Sequence, residues 1–232
     1  IEGSDVNHIK NVLRMKPGEK IRVCTRNGQN YFCSISDITE SFVRADILEK
    51  EAESTELPCR IYLFQGLPKN DKMEWIIQKT VELGVYEVIP VAMKNCVVKL
   101  DDKKAKSKVT RWQAIAESAA KQSKRSLIPE VKMPMSYKEA VSYAKELDVK
   151  LVPYENEHGM AGTKAAMEQI KKGESIAVFI GPEGGFAPEE IALVQDEMQL
   201  ISLGKRILRT ETAGIAALAI LGYQLESSDM IE

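Results

Sequence analysis

The sequence predicts an α/β protein, a parallel sheet covered by helices on both faces, preceded by a small all-β barrel or sandwich. Three observations predict it. From Cys59 onward, short apolar runs of strand type alternate with longer runs of helical period. Before Glu53, several short runs of alternating polarity crowd together, two of them separated by Asn27-Gly28, a two-residue hairpin signal. The chain then closes on an almost uncharged helix over 213–225.

Within the first part, 8–14 predicts a helical fragment ended by Pro17-Gly18. Ile21 and Val23 alternate with polar residues, as do Tyr31, Cys33 and Ile35 beyond Asn27-Gly28, and 42–48 supplies a further strand. The polar, charged stretch 49–58 reads as a linker closed by Pro58. The second part opens with a buried-type strand over 61–64 and a helix over 69–83, stopped by Gly84 at its C-terminal cap. A strand over 85–92 is broken or edged by Pro90. A helix over 103–124 follows, with Trp112, Ile115, Ala116 and Ala119 on one stripe. Ser136 and Glu139 form a capping box for a helix to Leu147. Strands over 149–154, 175–180 and 200–203 alternate with helices over 163–172, ended by Gly173, and 188–198, with Pro188 in its first turn.

Length and composition narrow the function classes. At 232 residues and 44% apolar content, the chain suits two domains with a sizeable core. No apolar run approaches the roughly 18 residues of a membrane span, and no cleavable signal pattern opens the chain. Four scattered cysteines without CxxC spacing and two distant histidines predict reduced thiols in the cytoplasm and no metal site. The net charge of -2 conceals an asymmetry: between Lys94 and Lys132, eleven basic residues face four acidic ones, a local net of +7. That segment is either a polyanion contact or a solvated loop and helix face.

Two loops carry the chemical signal. Gly181-Pro182-Glu183-Gly184-Gly185-Phe186 follows a strand and precedes a helix. It has neither the GxGxxG nor the GxxxxGK[ST] spacing, and Glu183 would repel a phosphate. It suits a hydroxyl-rich or cationic ligand, or it is only a tight turn. The run from Leu203 to Ala213 packs Lys205, Arg206, Arg209 and Glu211 against the mouth of a buried element, where charge must be paired or used. Gly204 permits a close turn, Ile207 and Leu208 wall a flat apolar ring, and Arg209 and Glu211 face a reacting partner or pair with each other to staple the last helix. Two such loops suggest one pocket at the carboxyl ends of adjacent strands. Tyr154-Glu155 ends a strand on that side, with Glu155 a ribose contact or a solvated carboxylate. Gln122 and Arg125, at i and i+3, reach a nucleotide or end a solvated helix, and His8 is either packed or an RNA contact. The final helix, apolar nearly all round, is a core helix or an oligomer interface.

Taken together, Lys79-Thr80-Val81-Glu82-Leu83-Gly84-Val85, the glycine loop, and Leu203-Gly204-x-x-Ile207-Leu208-Arg209-x-Glu211-Thr212-Ala213 resemble the RsmE family. These are small-subunit ribosomal RNA uridine-N3 methyltransferases of the SPOUT superfamily. The opening His8-Ile9-Lys10-Asn11-Val12-Leu13-Arg14, and Arg111-Trp112 followed by Ala119-Ala120-x-Gln122-Ser123-x-Arg125, match it as well, so the resemblance runs nearly the whole chain.

The resemblance implies a PUA-like, RNA-binding barrel over 1–55 and a SPOUT methyltransferase domain over 59–232, a parallel α/β domain with a C-terminal trefoil knot, an exception to the usual chain-path rules. It implies S-adenosylmethionine (SAM) as methyl donor, a homodimer through the knot region, and 16S ribosomal RNA, within the small ribosomal subunit, as substrate. By position, the SAM pocket falls on Tyr154, Glu155, Gly181, Glu183, Gly184, Leu203, Gly204, Ile207, Leu208, Arg209, Thr212 and Ala213. RNA contacts fall on His8, Arg14, Lys121, Gln122 and Arg125, and the basic stretches 99–111 and 121–125 grip phosphates. The family begins with a short strand carrying arginine and aromatic residues. This chain opens at Ile1, and that strand is expected to be missing from it. The uridine N3 is a poor nucleophile until it loses its proton, so Arg209 or Arg125 is expected to stabilise the uracil anion, with Glu211 orienting the arginine or relaying the proton. The competing reading is a non-catalytic RNA-binding ribosome-assembly factor. A nucleotide-binding phosphotransferase is disfavoured by the missing P-loop and by Glu183.

Overall fold

The computed structural model describes residues 1–25, 29–51, 54–157 and 159–227, and the chain separates into two compact units, Ile1–Glu56 and Leu57–Glu232. Asn27-Gly28 lies outside the described residues, but the strands it separates do pair antiparallel, from Lys20↔Ser34 to Cys24↔Asn30.

In the first unit the helix starts earlier than the sequence predicts. α1 (Ser4–Asn7) runs into a π-helical turn over His8–Val12, and Arg14 then takes a positive φ of 53°. β1 (Lys20–Cys24), β2 (Asn30–Ile38) and β3 (Val43–Lys50) form one antiparallel sheet in that order. Val6 and Ile9 pack on Ile35 and Val43 to make its small core. The described residues thus hold a three-stranded sheet with a helix against it. The stretch predicted as linker begins only after Lys50, because β3 continues in register to Tyr31↔Lys50.

The second unit is built on a parallel sheet. Its strands are β4 (Arg60–Gly66), β5 (Val85–Ala92), the short β6 (Glu130–Val131) and β7 (Met135–Ser136), then β8 (Val149–Pro153), β9 (Ser175–Ile180) and β10 (Gln199–Ile201). The order is β10-β8-β9-β4-β5-β6, with β7 also pairing β5. Pro90 does not break β5: it keeps register with Gln65 of β4. On the other side it falls between the residues that pair β6 (Glu87, Val88) and those that pair β7 (Val91, Ala92), where no ladder bond is required of it.

The helices are α2 (Lys72–Glu82), α3 (Asp102–Gln122), α4 (Tyr137–Ala144), α5 (Ala161–Glu168), α6 (Pro188–Val194) and α7 (Thr210–Ser227). Alternate residues of each strand feed two cores. Ile61, Leu63, Ile176 and Val178 face α2, α3, α5 and α7. Tyr62, Phe64, Ala177 and Phe179 face α4 and α6, where the Phe64 and Phe179 rings stack at 4.3 Å between centroids. Because both faces are covered, β9 is buried at every position and reads as an apolar run after Ser175. Each large side chain so buried contributes about 1.5–3 kcal/mol.

Several boundaries move. α4, α5 and α6 stop short of the predicted ends, and α7 begins at Thr210 rather than Ala213, so Glu211 and Thr212 sit in a helical first turn and not in a loop. α7 is also less enclosed than its composition suggests. Gly214, Ala217, Leu218, Leu221 and Leu225 are buried, whereas Tyr223 on another face is 74% exposed.

Candidate active site

The carboxyl ends of β8, β9 and β10 open onto one cavity of about 690 Å³, within the range of small-molecule sites. Its walls are the turn after β8 (Tyr154, Glu155), the glycine loop after β9 (Gly181, Glu183, Gly185, Phe186) and the segment after β10 (Leu203, Gly204, Lys205, Arg206, Ile207, Leu208, Arg209). Lys72, Thr210 and Ala213 complete it. Parallel strands deliver all three loops to one edge, which is why residues about 50 positions apart in sequence meet here.

The glycine loop is held on every side. Glu183 accepts from the Lys69 N–H (3.1 Å) and the Lys72 ammonium (3.0 Å). Partial burial pushes the Glu183 carboxyl up, but these two donors more than offset it and hold it below the usual carboxylate range. The Asn95 amide donates to the Gly184 and Gly185 carbonyls at 3.0 and 3.2 Å. A Cβ at Gly184 would come within 2.9 Å of the Asn95 Cβ, so this approach requires glycine. Gly185 takes a positive φ of 66° and faces the Glu155 carboxylate. Behind the loop, the buried Glu190 carboxylate caps the Ala187 and Lys94 N–H groups, each at 2.8 Å.

The two ligand loops are joined at Thr210. Its hydroxyl donates to the Gly181 carbonyl at 2.6 Å and accepts from the Gln65 side-chain amide at 2.9 Å. Since the single hydroxyl proton goes to Gly181, the Gln65 nitrogen must point at Thr210, and it also donates to Gly66 at 3.1 Å. The segment after β10 is anchored at its start by the buried Thr163, which both donates to the Ser202 carbonyl and accepts from its N–H.

Ten of the twelve positions expected for the donor pocket line this cavity; Gly184 and Thr212 do not. Gly184 is turned toward Asn95, and Thr212 is exposed on the first turn of α7. Glu211 is not paired with Arg209. Its Oε2 lies 3.2 Å from the Lys72 ammonium, an ion pair rather than an aligned hydrogen bond. Arg209 is exposed and makes no ion pair among the described residues.

Arg125 requires a correction. It is buried, and its guanidinium donates to the Val81 and Val85 carbonyls at 3.1 and 2.6 Å, clamping the α2–β5 turn. α3 ends at Gln122 and Lys124 takes a φ of 58°, so Gln122 and Arg125 do not share a helical face. Arg125 is therefore not among the residues that line the cavity. Gln122 and Lys121 are exposed outside the cavity, with Lys121 paired to Glu117, and His8 and Arg14 are exposed in the first unit. The basic stretch is partly neutralised: Lys108 pairs with Asp71, Arg111 with Glu74, and Lys132 with Glu130. Lys99, Lys103 and Lys106 make no ion pair among the described residues.

Lys72, Asn95, Gln65 and Thr210 were absent from the expected site. Only Lys72 had a legible signal, a cation in the first turn of a helix that follows a strand, where a cation opposes the helix dipole.

Fold and site define a class. The family described as RNA methyltransferase domain matches residues 55–222, and the one described as RNA methyltransferase PUA domain matches residues 1–48. A Bacillus subtilis relative, ribosomal RNA small subunit methyltransferase E, is 40% identical over 230 residues, covering 97% of this chain and 90% of the relative. A crystal structure of a hypothetical protein superposes with a TM-score of 0.92 at 40% identity, covering 98% of this chain and 91% of that one. The Neisseria gonorrhoeae ribosomal RNA small subunit methyltransferase E, bound to S-adenosyl methionine, superposes with a TM-score of 0.82 at 33% identity, covering 95% and 89%. The chain belongs to the ribosomal RNA small subunit methyltransferase E family.

Proposed function

We propose that this protein transfers a methyl group from SAM to N3 of a uridine in 16S ribosomal RNA, within the small ribosomal subunit and in the cytoplasm. The observation that carries the reading is the cavity itself. Its donor set fits an adenosyl sulfonium: backbone and apolar walls at Leu203, Ile207 and Leu208 for a flat ring, the Glu155 carboxylate for ribose hydroxyls, and the acidic Glu183 for a cation. Relatives of the same family, one of them SAM-bound, support it.

The pocket is then formed by Tyr154, Glu155, Gly181, Glu183, Leu203, Gly204, Ile207, Leu208, Arg209 and Ala213, with Gly184 and Thr212 shaping the loop and helix from outside the cavity. When bound, SAM supplies an already activated methyl group. The chain's own residues have to hold the uracil in line and stabilise the negative charge that develops as N3 loses its proton. Arg209, exposed at the cavity and unpaired among the described residues, takes that role. Glu211, two residues further on in the first turn of α7, accepts the proton; its carboxylate faces Lys72 and not Arg209, so it does not orient the arginine. RNA is gripped by His8 and Arg14 of a PUA-like domain over 1–55, and by Lys121, Gln122 and the unpaired lysines of 99–111 in a knotted SPOUT domain over 59–232 that dimerises through its C-terminal region.

The test is to incubate the full-length protein with SAM and unmodified small subunits, digest the RNA and run nucleoside mass spectrometry. A new N3-methyluridine is expected. Methylation of another base or atom would overturn the N3 reading. No methylation, with the protein still bound to the subunit, would favour the assembly-factor reading.

A further inference from the structure

Lys72 is the first residue of α2, and its side chain reaches the rim of the cavity. It meets two carboxylates that come from different walls: Glu183 of the glycine loop at 3.0 Å and Glu211 of α7 at 3.2 Å. Each of the three side chains is largely shielded, with 28% of Lys72, 25% of Glu183 and 19% of Glu211 exposed. The neighbouring charges on α2 are already matched to α3, Asp71 with Lys108 and Glu74 with Arg111. Lys72 thus stands between two like charges that would otherwise share one partly desolvated site.

We propose that Lys72 is a positioning residue: by holding Glu183 and Glu211 at once, it couples the glycine loop to the start of α7 and sets the spacing of the two walls between which the methyl donor binds. The inference rests on the proposed SAM site and adds to it a residue from a distant helix. The physical reason is charge balance. With the ammonium in place, two carboxylates converge on one cation. Without it they repel, and the two walls move apart or one carboxylate takes up a proton. The raised basicity of Lys72, caused chiefly by its hydrogen bond to Glu183, agrees with a firmly held ammonium.

The test is titration of SAM into the full-length protein by calorimetry, with thermal unfolding recorded for every variant. Lys72→Met is expected to weaken SAM binding about tenfold, in line with removing one partner of a shielded charge cluster. Lys72→Arg, which keeps the charge, is expected to stay within about threefold of the unsubstituted protein. Adding Glu211→Gln to Lys72→Met is expected to recover part of the lost affinity, because it removes the repulsion; loss of mere packing would not be repaired this way. Unaltered SAM binding in Lys72→Met, or a double variant no better than Lys72→Met, would overturn the inference. If Lys72→Met does not fold, a double variant that folds and binds supports it, and one that also fails to fold overturns it. Absence of SAM binding in the unsubstituted protein would instead count against the proposed function.

Discussion

The two loops that face each other across the cavity are held very differently. The glycine loop is fastened from outside itself by Lys69, Lys72, Asn95 and, just behind it, Glu190. The segment after β10 is anchored only at its ends, by Thr163 and Ser202 at one and Thr210 at the other. Between them Lys205, Arg206, Ile207 and Leu208 make no hydrogen bond or ion pair among the described residues, and Ile207 is 88% exposed. One wall is thus built before any ligand arrives, while the other offers free cations and an uncovered apolar side chain. Preorganisation and reactivity are divided between the loops, since Glu183 is fixed in place by its donors, whereas the unpaired Arg209 can meet a developing charge.

The largest effect should come from the open side. Arg209→Ala is expected to lower methyl transfer about 100-fold, a barrier increase of about 2.7 kcal/mol, with stability unchanged within about 0.5 kcal/mol. Single-turnover kinetics beside a denaturation curve check both, and full activity would end the role given to Arg209. Next comes the joint between the loops. Thr210→Val leaves the Gly181 carbonyl without its hydroxyl donor and the Gln65 amide with only the Gly66 carbonyl, which is expected to cost about 2 kcal/mol in urea unfolding. Asn95→Ala removes two exposed hydrogen bonds from the glycine loop. A smaller loss of about 1 kcal/mol is expected, with weaker SAM binding in calorimetry and unchanged chemistry once the donor saturates. A drop in the chemical step instead would mean that the glycine loop acts beyond binding. The smallest effect belongs to Ile207→Ser, within about 0.5 kcal/mol in stability because its side chain is nearly all solvated. A large destabilisation there would show the open loop to be packed after all.

Legibility in the sequence followed the range of the interactions. The capping box at Ser136 and Glu139, the glycine stop at Gly84 and the buried run of β9 arise from neighbours in the chain, and the structure contains all of them, whereas α5 ends at Glu168, short of Gly173. The start of α7 is not legible because Thr210, Glu211 and Thr212 look like loop residues, and the partners that hold Thr210, Gln65 and Gly181, are distant in the chain. Pro90 has the look of a strand break or edge because its tolerance depends on where β6 and β7 leave a gap.

By itself, the sequence determined the alternation of strands and helices, the two loops that end on one edge, and the cationic run that sits there. Each is written in residue type and period over a few positions. Only the tertiary structure decided how the charges were assigned. It gave Arg125 to two backbone carbonyls of the α2–β5 turn, Glu211 to Lys72, and Arg209 to the open cavity. A side chain's charge is set by its type, but the group that compensates it is set by the chain path, which brings Lys72 against residues more than 100 positions away.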